Sequence, residues 1–238
     1  MTDIKQMKCD GFLIGSLVDY SKDVQAELVR TTTLPPDIRK VPLGGRGTVS
    51  RTTIKSGNIG DIVVKKYSHG GVWRRICKFY YLHLGKYRPQ SELMILDHVR
   101  SWGVKAPKPI AFIIRGRAIY QAWLIAEEIA GEMSLALLST QNEELSRKVM
   151  LDLGQQVNIL IKHRICHVDL HPGNVLIDPN NEARIIDFDK AYYYKGSLNS
   201  LRDYYLCRWR RAVIKHGLPE YLSEYFCAEL LKNYDKTR

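Results

Sequence analysis

Thr48–Ile54 and Asp61–Tyr67 read as two β-strands. The segment Ser56-Gly57-Asn58-Ile59-Gly60 between them supplies glycine and asparagine for a hairpin turn with positive φ. Val72–Leu84 follows as a helix, with Trp73, Ile76, Phe79 and Tyr80 near one face. Leu93, Leu96 and Val99 recur at helical spacing and predict a second helix over Ser91–Trp102, stopped by Gly103. After Pro107 and Pro109 come two apolar strands, Ile110–Ile114 and Ile119–Ile125, and then a small-residue connection, Gly131–Ser134. From there the period turns helical, over Glu143–Ile161, Leu201–His216 and Tyr221–Leu231. A strand-rich first half thus gives way to a helical second half near residue 130, an α+β pattern that predicts two lobes with a cleft between them. Residues 1–40 stand apart as an N-terminal extension, 41–130 form the N-terminal lobe and 131–238 a reduced helical C-terminal lobe.

Composition adds bounds rather than chemistry. The chain has 238 residues, 45% of them hydrophobic and 26% charged, the balance of a soluble globular protein. The longest apolar runs, Ile110–Ile114 and Ala122–Ala126, fall far short of the ~20 residues that cross a bilayer. Met1–Asp10 lacks the apolar core of a secretory signal, which predicts a cytoplasmic chain. Cys9, Cys77, Cys166, Cys207 and Cys227 are odd in number and widely spaced, which argues against a disulfide framework or zinc site. Charge says more. Of a net +11, an excess of +10 lies between Lys65 and Arg117, where twelve Lys and Arg face only Glu92 and Asp97. Such a region attracts polyanions: nucleic acid, an anionic membrane or a phosphorylated lipid or sugar.

The chemistry concentrates in one stretch. His167-Val168-Asp169-Leu170-His171-Pro172-Gly173-Asn174 has the form H-x-D-x-x-x-x-N, and 18 residues after Asp169 an apolar run ends in Asp187-Phe188-Asp189. Phosphoryl transfer needs such a set. Asp169 can orient an acceptor hydroxyl and accept its proton, and Asn174 offers an amide oxygen to Mg²⁺. Asp187 offers a hard carboxylate oxygen as the second metal ligand. Val175–Ile177 and Ile185–Ile186 would form a hairpin, turned at Pro179-Asn180-Asn181, that fixes the separation of these groups.

The remaining parts of a kinase can be sought upstream. Gly44, Gly45 and Gly47 precede the first strand, where a glycine-rich loop would let backbone amides approach ATP phosphates. Val63-Val64-Lys65-Lys66 is similar to the strand whose lysine holds the α- and β-phosphates. Alternation leaves either lysine as the inward one, with Lys65 preferred. Of the two local carboxylates, Glu92 has the longer reach and is the expected partner. Trp123–Ile129 is similar to the strand and hinge that hold adenine; backbone groups around Glu128 would pair with its ring. These features predict a protein-kinase-like two-lobed fold.

The acceptor is the next question. Val168 stands where protein kinases have arginine, there is no A-P-E after Asp187, and only 51 residues follow it. A sugar, lipid or other small acceptor is indicated over a protein. The chain resembles the lipopolysaccharide core kinases, and within them the kinases of 3-deoxy-D-manno-octulosonic acid (Kdo). The resemblance spans roughly residues 43 to 218. It rests on Gly45-Arg46-Gly47-Thr48, Val64-Lys65-Lys66-Tyr67 with Gly70-Gly71, Gly103-Val104 and Pro107–Ala111. It continues through His167–Asn174, Ile186–Asp189 and Leu206-Cys207-Arg208-Trp209-Arg210-Arg211. It implies ATP- and Mg²⁺-dependent phosphorylation of a Kdo hydroxyl on a lipid A precursor, with Asp169 as base. It also implies peripheral attachment to the cytoplasmic side of a bacterial inner membrane. The basic region suits an anionic lipid-linked sugar, and no nucleic-acid motif or stable protein partner is read. His171-Pro172-Gly173 is also similar to the loop of aminoglycoside and choline phosphotransferases, the alternative function. Their cationic acceptors call for an acidic pocket. Arg208, Arg210 and Arg211 could bind an acceptor phosphate, although capping of the helical lobe is the preferred reading.

Overall fold

The computed structural model describes residues 3–35, 48–68, 79–83, 85–130 and 133–232. The chain is a mixture of α and β and divides into two compact units. The first comprises the described residues up to Met94 together with Lys108–Glu128; the second comprises Ile95–Pro107 and the described residues from Ile129 onward.

The first unit is built on an antiparallel sheet. Its strands are β1 (Lys5–Cys9), β2 (Phe12–Ser16), β3 (Thr48–Ile54), β4 (Gly60–Lys66), β5 (Tyr81–Leu82), β6 (Pro109–Gly116) and β7 (Ile119–Glu127). The order is β1-β2-β6-β7-β4-β3, with β5 also paired to β7. The β3–β4 hairpin pairs Thr48 with Lys66 through to Ile54 with Gly60. Its turn has the expected positive φ at Gly57, Asn58 and Gly60. Helix α1 (Lys22–Arg30) starts at Ser21, whose side chain accepts from the Val24 amide, a favoured N-cap. Its buried face, Val24, Leu28 and Val29, packs with Ile14, Ile54, Ile62, Val64, Ile113, Trp123 and Ile125. Gly15 pairs with Phe112, and a Cβ there would stand 2.1 Å from the ring.

Two expectations change here. The segment set apart as an N-terminal extension forms β1, β2 and α1, and β2 pairs with β6. The helix expected over Val72–Leu84 does not reach Leu84: Tyr81–Leu82 is a strand, and residues 72–78 and 84 lie outside the described residues. Tyr81 pairs with Tyr120 in register, their rings 5.7 Å apart, so β-pairing overrides local helical spacing.

Helix α2 (Arg88–Ser101) starts three residues before the predicted span and ends one residue short of it. It ends as glycine allows: Gly103 has φ +93° and the Val104 amide donates to Val99 O at 3.0 Å.

In the second unit β8 (Met133–Ser134) leads into α3 (Leu135–Gln141) and α4 (Glu143–Lys162), capped by Ser134 and Asn142 respectively. Then come β9 (Ile165–Cys166), β10 (Val175–Ile177), β11 (Ala183–Ile185), β12 (Tyr192–Tyr193), α5 (Leu198–Lys215) and α6 (Tyr221–Leu231). Strands β11-β10-β8 form a small sheet, and β12 pairs with β9. Helices α5 and α6 meet where Trp209 stacks on Phe226, ring centres 4.4 Å apart, and Trp209 Nε1 donates to Leu222 O. Gly154 lets α6 approach α4, because a Cβ there would meet Glu229 Cβ at 2.4 Å. Among the described residues, no helix is long and apolar enough to cross a membrane.

Candidate active site

In β4 the buried Ile62 and Val64 face the α1 core, so the alternate position, Lys65, projects from the other side of the strand. There it meets α2. Lys65 Nζ lies 3.1 and 3.3 Å from the two oxygens of Glu92, a carboxylate only 4% exposed. The buried Tyr67 hydroxyl also donates to Glu92. Lys66 turns elsewhere, its ammonium 4.5 Å from the Phe79 ring centre and 5.0 Å from that of Trp123. The structure therefore selects Lys65 over Lys66 as the Glu92 partner.

Glu128 lies just past β7. Its amide donates to Asp61 O at 3.0 Å, and its carboxylate pairs with Arg51 at 3.0 Å. The Glu127 amide donates to Lys108 O. Neither amide can donate to a purine ring without releasing an existing bond. Gly44, Gly45 and Gly47 lie outside the described residues.

The H-x-D-x-x-x-x-N stretch connects β9 to β10. His167 is fully buried: its Nε2 contacts Ile186 O at 3.0 Å and its ring stands edge-on to Phe188 at 4.7 Å. Burial pushes its pKa down to about 4, so the imidazole is neutral near pH 7 and Nε2 carries the proton donated to Ile186. The His167 amide donates to the buried Tyr205 hydroxyl, which in turn donates to Ile165 O. Asp169, two residues on, is about half exposed and pairs with Arg208 of α5. The side-chain amide of Asn174 donates to Asp169 O at 2.9 Å. Burial, His216 and Lys215 lower the pKa of His171 against the pull of Asp187. Its Nδ1 accepts from the Gly173 amide at 3.1 Å.

The β10–β11 hairpin turns as predicted. Asp178 Oδ1 accepts from the Asn180 and Glu182 amides, Oδ2 receives Arg184 at 2.8 Å, and Asn181 takes φ +62°. Burial alone would raise the Asp178 pKa; these donors hold it below the ordinary value. At the hairpin's far end Ile186 N donates to Asn174 O at 3.0 Å, binding the start of the Asp187 segment to the other expected metal ligand. Asp187 itself has φ +62°, a left-handed conformation that few non-glycine residues adopt and that collects at functional sites.

The donor set fits Mg²⁺. Asn174 uses its amide nitrogen on Asp169, which leaves the amide oxygen as the atom available to a cation, and Asp187 adds a carboxylate. Among the described residues no group of three or more His, Cys, Asp or Glu is placed to hold a metal ion, so these two ligands would be completed by phosphate oxygens and water. Sequence reasoning missed Tyr67, Tyr205 and the pairing of Arg208. Only Arg208 carried a signal, as part of the Arg208–Arg211 basic run.

The first unit thus holds a lysine–glutamate pair, and the second an H-x-D-x-x-x-x-N loop and a left-handed aspartate after a short hairpin. Residues 42–206 match the model of the Lipopolysaccharide kinase (Kdo/WaaP) family. The chain belongs to that family and is a kinase. It is 32% identical to a 3-deoxy-D-manno-octulosonic acid kinase of Photobacterium damsela subsp. piscicida, covering 72% of this chain and 70% of that protein. A protein of the same name from Mannheimia succiniciproducens is 30% identical, with 80% and 82% covered. One from Vibrio cholerae serotype O1 is 30% identical, with 65% and 68% covered.

Proposed function

We propose that the protein transfers the γ-phosphoryl group of ATP to a hydroxyl of Kdo in a lipopolysaccharide precursor. The names of the relatives support this acceptor and do not favour an aminoglycoside- or choline-type alternative. The observation that carries the chemistry is the bond from the Asn174 amide to Asp169 O, which ties the proposed base to a proposed metal ligand.

Roles follow from chemistry. Asp169, paired with Arg208, accepts the proton of the acceptor hydroxyl as its oxygen bonds to the γ-phosphorus. The bond from that phosphorus to the bridging oxygen breaks, and ADP leaves. Lys65, fixed by Glu92, neutralises phosphate charge on the donor. Asn174 and Asp187 would hold Mg²⁺, which when bound offsets the charge of the β- and γ-phosphates. The buried neutral His167 and Phe188 support the loop from behind. We read this as the division of labour of a protein-kinase-like two-lobed fold: a phosphate-holding lysine in the first unit and proton handling in the second. A glycine loop at Gly44, Gly45 and Gly47, and backbone recognition of adenine near Glu128, complete that reading. The +10 excess between Lys65 and Arg117 supports peripheral attachment to the anionic cytoplasmic face of an inner membrane.

Labelled ATP and Mg²⁺ supplied with a Kdo-bearing lipid A precursor, a heptosylated core, an aminoglycoside and a generic protein test the assignment. Label is expected in the Kdo-bearing precursor. Label confined to the aminoglycoside overturns the acceptor.

A further inference from the structure

Tyr204, Arg208, Arg211 and Lys215 are spaced four, three and four residues apart along α5 and share one stripe of it. The stripe follows the loop that carries Asp169. Tyr204 donates its hydroxyl to Val168 O at 3.0 Å, and Arg208 pairs with the carboxylate of the next residue, Asp169. The charge of Arg211 is close enough to act on both Arg208 and Tyr204. Lys215 acts likewise on His171, whose ring centre is 6.3 Å from that of His216.

This concentration of cations exceeds what α5 needs for packing. The helix is anchored by Leu201, Tyr205, Trp209, Ala212 and Val213, all buried. Arg211 and Lys215 are exposed, and neither makes an ion pair among the described residues. Arg208 Nε is buried and has no hydrogen-bond partner among the described residues. Its guanidinium therefore has donor capacity beyond its contact with Asp169. A planar fork suits a carboxylate or phosphate bound through two parallel bonds, and a lysine adds a point charge.

We infer that Arg208, Arg211 and Lys215 bind the anionic group of the acceptor, and that Arg208 exchanges Asp169 for that group when the acceptor arrives. The inference takes the acceptor's identity from the proposed function, but the anion site stands on α5 alone. The anion is either the sugar's own carboxylate or a phosphate near the reacting hydroxyl. An anionic acceptor draws Arg208 off the base and frees Asp169 for the hydroxyl proton; a neutral sugar leaves the pair closed. Discrimination for acidic acceptors then follows from the same arginine that holds the base.

The test uses the full chain with Arg211→Gln/Lys215→Gln, Arg208→Lys, and Arg210→Gln as an off-stripe control for charge. Steady-state kinetics give KM for the Kdo-bearing acceptor and for ATP; calorimetry gives binding of free Kdo, its carboxamide and inorganic phosphate. The double variant should raise acceptor KM by about tenfold or more, as expected for losing charge-assisted bonds, with ATP KM unchanged. Free Kdo should lose affinity in parallel, while the carboxamide binds wild type and variant alike. Phosphate competing better than Kdo assigns the stripe to a phosphate of the acceptor; Kdo binding that needs its carboxylate assigns it to the sugar. Arg208→Lys, which keeps charge but not the fork, should retain part of the affinity. Unchanged acceptor KM and Kdo binding in the double variant overturn the inference, as does a parallel rise in ATP KM, which marks a structural role. Stripe-dependent Kdo binding without phosphoryl transfer removes the proposed acceptor and keeps the stripe. Normal transfer with unaffected variants does the reverse.

Discussion

Replacing Glu92 with glutamine removes the charge that Lys65 meets while preserving shape. The charges are 3.1 Å apart, and at an effective dielectric of about 20 such a pair attracts by about 5 kcal/mol. Desolvation of a carboxylate 4% exposed offsets much of this. Breaking a buried pair from one side costs about 3–5 kcal/mol, but the Lys65 side chain is 21% exposed and can turn toward water. Tyr67 also keeps an acceptor, the side-chain oxygen of the new amide. The expected loss is therefore about 2 kcal/mol, below the range for a fully enclosed pair. Lys65→Met should lose a comparable amount, and Lys65→Met/Glu92→Gln less than the sum, by about 1–2 kcal/mol of coupling. Urea unfolding of the four proteins, followed by tryptophan fluorescence, measures this; Trp123, on β7 beside β4, reports on the same sheet. In parallel, Glu92→Gln should raise ATP KM by about tenfold, since an unanchored lysine loses a charge-assisted contact with phosphate. Additive stability losses, or an ATP KM that stays unchanged, would overturn this account of the pair.

Asp169→Asn should lower kcat by about 10²- to 10⁴-fold, the usual contribution of a general base, with nucleotide affinity retained; near-wild-type turnover would exclude Asp169 as the base. Trp209→Ala removes an indole 1% exposed and stacked on Phe226, and should destabilise by about 3–5 kcal/mol in denaturant titration. His167 makes stability depend on pH. Its folded pKa, about 4, lies below the ordinary 6.5, so the unfolded chain binds more protons between these values. The stability it contributes is full above pH 6.5 and is lost as pH falls toward 4, by roughly 3 kcal/mol in all. His167→Gln should flatten the dependence of the urea midpoint on pH in that window; an unchanged slope would show that another group carries it.

The strongest local patterns were legible. Tyr221–Leu231 is a helix over the predicted residues, and β3 with β4 closes through the glycine-asparagine turn. The Lys65–Glu92 pairing was legible because the basic region has so few carboxylates to choose from. What remained hidden depends on partners far along the chain. Lys5–Cys9 is mostly polar and exposed, so its own residues do not mark it as a strand; it becomes one by pairing with β2, which joins the sheet only through the distant β6. Tyr81–Leu82 sits among aromatics at helical spacing, yet β7 claims it. Arg208 and Asp169 are 39 residues apart, and only the packing of α5 brings them together.

The strand before Asp187 is tethered from an unexpected direction. Asp152 and Gln156 of α4 accept from the Ala183 amide and donate to the Ala183 carbonyl, respectively, and Gln156 also receives the Lys105 amide. Lys105 O in turn receives Ile185 N. A slip of the hairpin by a single residue would break all of these bonds at once and invert which side chains face inward. The depth of Asp187 is thus indexed by a helix that ends some two dozen residues before it. Drift at positions 152 or 156 can silence the enzyme while every side chain proposed to handle phosphate stays intact.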